Sequence, residues 1–467
     1  MRKSLILVLV LLIIALPVPI VAHMQVNAER ESVDITETTL RGSLDAAKGI
    51  TIGYNVQYSN KLFWYTDIAI GDELETNTRF EFHQGGGHNR VTRGNYTPYG
   101  VHVTVPSFSI GMSGDDLLGH IEDTMTDVLD LPILDVASRT PENETHTETV
   151  YVKDYYDYYP LTFDFDFSAD NGTADYEAAQ KKVAEIFKIP VRDDHRMTVT
   201  VSKFGDSVYE IEADSGDFYL YVESAGVVTE NGAYFILSVY DNYEAGRMES
   251  GDLKYGVYYL PFHQTEETVT YGTRTELVTM IEPEFENIAT ALELPGGQTA
   301  VDLRWDYEEN SIMTVVMEKD ACKLVTMNPD THEKIQELEL LPAGDTQYWD
   351  MQVCEGYTLI YLQNGDFALL TEKSPGEFEI EFTGSLAEDE TIWGYTYSEL
   401  ITAYDGERLV VAPSADSYWG GALNIYVSVY DDTGLIYAGQ FAHSVDGDIN
   451  SRSVRHSGNE PLTIKFD

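Results

Sequence analysis

At 467 residues the chain is long enough for two domains or for one large repeat array with a substantial core. Acidic residues outnumber basic ones 79 to 29, giving a formal charge of -50 spread along the whole chain. Such a polyanion is repelled by phosphate backbones, which argues against nucleic acid as a partner; two cysteines without a CxxC pair offer no zinc site either.

The first residues read as an export segment. Arg2 and Lys3 precede an unbroken apolar run from Leu5 to Leu16, and Pro17 and Pro19 then break any helix. A basic start, an apolar stretch of about a dozen residues and the small-residue exit Val26-Asn27-Ala28 describe a secretory signal over residues 1–28. Extended to Ala22 the run nears the lower limit of a membrane span, so an uncleaved anchor is the alternative. Either way the folded part is expected outside the plasma membrane, secreted or held on its outer face.

Residues 29–195 read as a β-rich module interrupted by two helices. Strands are expected at Ile50 to Tyr58, Lys61 to Ile70, Phe80 to His83 and Val101 to Ile110. The first helix starts at Ser113, carries Leu117, Leu118, Ile121, Met125, Val128 and Leu129 on one face, and stops at Pro132. The second carries Tyr176, Ala179, Val183 and Phe187 and ends before Pro190. Between them Leu161, Phe163, Phe165 and Phe167 alternate with polar residues as in a half-buried strand.

From residue 196 to 467 the strands become continuous and a repeat emerges. Trp305, Trp349 and Trp393 stand 44 residues apart, a period that suits a four-stranded propeller blade. Trp305 is followed by Ile312 to Val316, Cys322 to Met327, the turn Asn328-Pro329-Asp330-Thr331 and Ile335 to Leu341; Trp349 is followed by Tyr357 to Leu362, Phe367 to Leu370, the turn Lys373-Ser374-Pro375-Gly376 and Phe378 to Phe382. The fold class is therefore mainly β, a propeller-like array of four-stranded antiparallel blades, with tandem β-sandwiches as the alternative. The terminal run Leu462 to Phe466 is placed to close the array by pairing with an early strand. Cys322 and Cys354 read as buried thiols, with a disulfide as the alternative.

Chemical signatures are sparse. The chain has no GxSxG, HExxH, Walker or GxGxxG element that points to a nucleophile, metal or cofactor. Asp446, Asp448 and Asn450 have the alternate-position oxygen spacing of a calcium loop, and Asp166, Ser168, Asp170 and Glu177 approach it with a displaced glycine. Glu81, His83 and His88 around a triple glycine invite a metal reading that a plain hairpin tip also explains. Tyr151, Tyr155, Tyr156, Tyr158 and Tyr159 crowd one segment. Aromatic rings with polar rims stack on sugars or peptide side chains, which makes Tyr155, Tyr156 and Tyr158 candidate ligand-binding residues, although tyrosines are also ordinary strand residues.

The segments Lys153 to Pro160, Tyr255 to Phe262, Ala403-Tyr404-Asp405-Gly406-Glu407-Arg408-Leu409 and Leu435-Ile436-Tyr437-Ala438-Gly439 resemble a group of exported or N-terminally anchored bacterial proteins with propeller-like C-terminal halves. The resemblance implies an address and a fold and carries no activity. Two function classes follow. One is a non-catalytic binding, sensory or scaffold protein of the cell envelope, with a protein, peptide or envelope glycan as ligand. The other is an exported glycan hydrolase or lyase whose acids stand on separate blades.

Overall fold

The computed structural model describes residues 33–58, 62–82, 101–114, 117–118, 121, 128–165, 186–218, 220–241, 256–271, 274–306, 309–344, 346–388, 400–413, 424–443, 454–456 and 463–466. The export segment, Trp393, and the second expected helix up to residue 185 lie outside them. Among the described residues no helix is long and apolar enough to cross a membrane.

Four apolar runs are buried along their whole length rather than on alternate residues: Gly232 to Val239, Ser311 to Val316, Tyr357 to Leu362 and Leu409 to Pro413. A strand has two faces, so full burial means that its sheet is covered on both. The sheets of a sandwich are covered on one face and alternate instead. Tandem sandwiches therefore give way to propeller-like sheets. Each run is the second strand of an antiparallel meander. One sheet is Leu220–Val228, Gly232–Asp241, Gly256–Tyr271 and Arg274–Pro283, with Ala289–Glu293 also on Gly256–Tyr271. The others are Thr299–Asp306, Ser311–Met317, Ala321–Met327 and Lys334–Pro342; Tyr348–Cys354, Tyr357–Leu362, Asp366–Ser374 and Glu377–Ser385; and Leu400–Tyr404, Leu409–Pro413, Asn424–Asp431 and Gly434–His443.

The tryptophan spacing needs a correction. Trp305 and Trp349 both lie in the first strand of a four-stranded sheet, but Trp305 stands next to the end of Thr299–Asp306 and Trp349 next to the start of Tyr348–Cys354. A spacing in sequence sums strand and turn lengths. One strand residue follows Trp305 and five follow Trp349, so equal spacing does not make equal register.

The chain divides into two compact units, one of Met1–Tyr96, Tyr357–Leu370 and Ile380–Asp467, the other of Thr97–Gly356 and Thr371–Glu379. In the first, Ile35–Gly42 adds a fifth strand to Gly434–His443. A further sheet is formed by Ile50–Tyr58, Leu62–Ile70 and Leu74–Phe82, and the free edge of Ile50–Tyr58 is taken by the C-terminal strands Val454–His456 and Thr463–Phe466. Ile50 faces Phe466 and Ile52 faces Ile464 in this pairing, which is the closure expected from the terminal run. Arg408 pins it. Its guanidinium donates to Ala46 O and Lys48 O at 2.9 Å each, holds Asp405 through Nε and Nη2 at 3.0 and 2.8 Å, and lies 5.0 Å from the ring centre of Phe466.

In the second unit, Ser109–Ser113, Ser207–Asp214, Arg196–Phe204 and Thr145–Tyr151 form one sheet, and Val101–Thr104 pairs with Thr162–Phe165. That first sheet takes strands from both sides of the 195/196 division read from the sequence, because strand patterns do not say which strands pair. The helices also differ from expectation. Leu117, Leu118 and Ile121 are helical, with Leu117 and Ile121 buried, but Pro132 does not end a helix. It sits in the first turn of α1, Asp130–Arg139, where a missing N–H costs nothing.

Two stability measurements follow. Thr314 is fully buried and its Oγ1 has no partner among the described residues; Thr314→Val should raise the unfolding free energy in urea by about 1 kcal/mol, and a loss would mean that the hydroxyl is satisfied. Ile464, in the closing strand Thr463–Phe466, is buried in the core of the first unit. Ile464→Ala should cost about 2 kcal/mol, whereas an unchanged urea midpoint would show the closure to be dispensable.

Candidate functional site

The tyrosine segment is not a strand. After Tyr151 ends Thr145–Tyr151, the chain makes a 3-10 turn at Val152–Asp154 and an irregular run to Pro160. This local geometry splits the cluster. The Tyr155 hydroxyl donates to Asp135 Oδ2 at 2.6 Å, and the Tyr156 hydroxyl donates to Asp130 while accepting from Leu131 N at 2.9 Å. α1 has no side-chain cap at Leu129, so Tyr156 supplies the partner that an N-terminal amide of a helix needs. Burial, reinforced by Asp135, pushes the Tyr155 hydroxyl up to about 12. Tyr158 is exposed with Lys188 Nζ 5.5 Å from its ring centre, and Tyr151 is exposed beneath Arg196 at 4.8 Å. Tyr155 and Tyr156 thus spend their polar ends on the helix, while Tyr158 keeps an outward ring.

The calcium candidates Asp446, Asp448 and Asn450 lie outside the described residues, as do Asp166, Ser168, Asp170, Glu177, His83 and His88. Glu81 is paired with Arg79 at 3.2 Å. Among the described residues no group of three His, Cys, Asp or Glu side chains converges as metal ligands; Cys322 and Cys354 are not joined in a disulfide, and Cys322 is buried while Cys354 is only half-buried.

The fifth tyrosine leads to a feature that the sequence did not show. Tyr159 is 2% exposed and its hydroxyl is 2.9 Å from Nδ1 of His195; Nε2 of His195 is 2.9 Å from Ser215 Oγ. His195 is itself 1% exposed, stacked on Phe218 with ring centres 3.8 Å apart and edge-on to Phe108 at 5.2 Å. Phe108 and Phe218 also wall a cavity of about 430 Å³, with Val105, Pro106, Leu220 and Val222 as further apolar lining and Ser107, Ser109 and Asp214 as its polar groups. The buried histidine therefore stiffens the aromatic wall of the cavity from behind. Burial, only partly opposed by Asp194, pushes its imidazole down to about 4, and a neutral ring matches the two hydroxyls, each of which can donate or accept.

A serine, a histidine and a third orienting group invite an acyl-transfer reading. Three observations weigh against it. The third group is a neutral hydroxyl rather than a carboxylate, and the imidazole is a poor base when pushed so low. The amides around Ser215 are committed: its own N–H donates to Phe108 O at 3.0 Å, Gly216 N to Asp214 Oδ1 at 3.0 Å and Phe218 N to Ser215 O at 3.3 Å. Such amides are the groups that an oxyanion would need. The arrangement backs the aromatic wall of the cavity with an imidazole paired at both nitrogens. Phe108, Tyr159, His195, Ser215 and Phe218 are scattered along the chain, and only the tyrosine crowding marked the region.

No protein-family model matches the chain, and no curated protein matches it. Among solved structures, it is similar to a Bacteroides uniformis protein named as a candidate 6-phosphogluconolactonase, at 10% identity and a TM-score of 0.22, over 59% of this chain and 82% of that one. It is similar to a protein from Lactobacillus plantarum at 10% identity and a TM-score of 0.23, over 67% of this chain and 99% of that one. It is also similar to the NanB sialidase of Streptococcus pneumoniae at 9% identity and a TM-score of 0.23, over 88% and 82% of the two chains. Likenesses at this level carry nothing about activity.

The relay can be tested by pH. The imidazole titrates near 6.5 when unfolded and about 4 when folded, so between these values the unfolded chain holds more protons. Its stabilising contribution is complete above 6.5 and falls as the pH drops toward 4, with a slope of up to about 1.4 kcal/mol per unit. Urea melts of wild type and His195→Gln should diverge in slope across this window; parallel slopes would rule out a buried neutral His195. Separately, Tyr156→Phe should cost about 1–2 kcal/mol by stripping a partner from Leu131 N and Asp130, and a neutral effect would show that water replaces the hydroxyl.

Proposed function

We propose that the protein is an extracytoplasmic binding or sensory protein of the bacterial cell envelope, and that the cavity between Phe108 and Phe218 is its ligand site. The observation that carries this reading is the cavity itself: an apolar, aromatic-walled space of about 430 Å³, backed by the His195 relay, with a single carboxylate, Asp214, among its lining groups. Pockets that bind small molecules combine largely apolar walls with a few placed polar groups. A formal charge of -50 adds a field that draws cations and repels anions. The ligand class is therefore a compact apolar or aromatic body bearing an ammonium group, free or as a peptide side chain. The export reading rests on Arg2-Lys3, the Leu5 to Leu16 run and the Val26-Asn27-Ala28 exit.

Isothermal titration with 2-phenylethylamine, benzyl alcohol and phenylacetate tests the site. The amine should bind more tightly than the alcohol, and phenylacetate should bind least. Asp214→Asn should cost the amine about tenfold in affinity, near the 1.4 kcal/mol of one good charge contact, and leave the alcohol unaffected. Equal binding of amine and carboxylate, or an Asp214→Asn variant that binds the amine as wild type does, would overturn the assignment. Protection of the folded chain from protease added to intact cells would overturn the address.

A further inference from the structure

A second constellation, sharing no residue with the cavity, is assembled where the turns of two sheets meet in the second unit. The turn at Thr229–Gly232 belongs to the sheet that starts at Leu220, and Glu309-Asn310 and the loop Asn328–Glu333 belong to the sheet that starts at Thr299. Asn231 Nδ2 reaches Asp330 Oδ1 at 3.5 Å from one sheet, and Asn310 Nδ2 donates to Asp330 Oδ2 at 3.2 Å from the other. Trp305 Nε1 donates to Asn310 Oδ1 at 3.4 Å, and the Tyr259 hydroxyl donates to Asn231 O at 2.9 Å. The His332 ring stands 4.6 Å from that of Tyr259. Trp305 and Tyr259 each pack part of their surface on the same apolar cluster.

Turn closure alone does not account for this arrangement. Asn231, Asn310 and Asp330 are exposed, and exposed bonds of 3.2 to 3.5 Å, which compete with water, return little stability. Yet the backbone is held in the left-handed region at Asn310, φ 49°, and His332, φ 58°, a conformation that costs free energy in any residue with a β-carbon. The loop is set by its own sequence. Asn328 Oδ1 accepts from the amides of Asp330 and Thr331, both at 2.9 Å, and His332 N returns to Asn328 O at 2.9 Å. That turn aims Asp330 and His332 at the neighbouring sheet. Burial pushes the His332 imidazole below its ordinary value, leaving a neutral ring with one donor and one acceptor.

We propose that this cluster is a saccharide-binding site. A half-buried ring such as that of Trp305, its Nε1 held by Asn310, can lay an apolar face on the C–H surface of a pyranose. A carboxylate between two carboxamides places acceptors and donors side by side, as adjacent sugar hydroxyls need, since each hydroxyl both donates and accepts. The strongly negative protein disfavours uronates and other anionic sugars. The ligand class is a neutral or amino-sugar oligosaccharide.

The test titrates the full chain with cellotriose, maltotriose, an N-acetylglucosamine trimer, a glucosamine trimer and a galacturonate trimer, following tryptophan fluorescence and heat. At least one neutral or amino trimer should bind with a fluorescence change that disappears in Trp305→Phe, and the galacturonate trimer should bind at least tenfold more weakly. Asn231→Ala, an exposed side chain whose loss leaves the fold intact, and Asp330→Asn should each weaken the sugar about tenfold or more while leaving 2-phenylethylamine binding unchanged. Failure of every neutral and amino trimer, equal binding of the galacturonate, or sugar binding unaffected by both variants would overturn the proposal. The amine titration reads the cavity independently, so the two sites stand or fall separately.

Discussion

The structure depends on one packing constraint: the second strand of successive sheets has no solvent face. Ala233 to Val239, Ile312 to Val316, Tyr357 to Leu362 and Leu409 to Ala412 are buried residue after residue. An antiparallel strand of this kind exists only in a sheet covered on both sides, because leaving either face wet would expose a row of large apolar side chains. Outer strands relax the rule, as in Lys334–Pro342, where exposed and partly buried residues mix before Leu340 and Leu341 turn inward. The hierarchy from fully buried second strand to mixed fourth strand is what makes each sheet a blade-like layer.

Sheets also have edges, and an unpaired edge is a template for aggregation. Two of these edges are covered by strands far away in sequence. Ile35–Gly42 covers Gly434–His443, and Thr463–Phe466 covers the start of Ile50–Tyr58. Gly42, at φ 73°, lies so close to the Ile436 carbonyl that a β-carbon there would sit 1.9 Å from the oxygen, so this edge pairing is specified down to the absence of a side chain. Arg408 joins the turn after Tyr404 to the 3-10 turn at Leu44–Ala47 and to the Phe466 ring. Burial alone would raise the Asp405 carboxyl, but the Arg408 and Glu407 amides and the Arg408 guanidinium outweigh it and hold that carboxyl below its ordinary value.

The two proposed sites use the same economy in different materials. At the cavity, a neutral histidine between two hydroxyls has both ring nitrogens paired behind an apolar wall, so Phe108 and Phe218 are held without a charge having to be buried. At the loop cluster, exposed amides and a carboxylate are held together by backbone that is locally costly. The first arrangement suits an apolar ligand that displaces water, and the second suits one that replaces it hydrogen bond for hydrogen bond.

The amino-acid sequence by itself determined what depends on near neighbours. Apolar runs between Gly, Pro and Asn turns placed most strands, the Asn328-Pro329-Asp330-Thr331 turn formed as its Asx chemistry requires, and the β-prone terminal run paired with an early strand. Pro132 reads equally as a helix stop or as a first-turn residue, and in the structure it lies in the first turn of α1, where the Tyr156 hydroxyl accepts from Leu131 N. The tertiary structure alone decided which strands share a sheet, hence the strands drawn together across residue 195, and the registers in which Trp305 and Trp349 sit. It alone brought Tyr159, His195 and Ser215 into one relay and Asn231 to Asp330 across two sheets. Strand periodicity records only which face of a residue is buried, whereas a site is a meeting of residues far apart in the chain, and that meeting is set by long-range packing that leaves no local pattern.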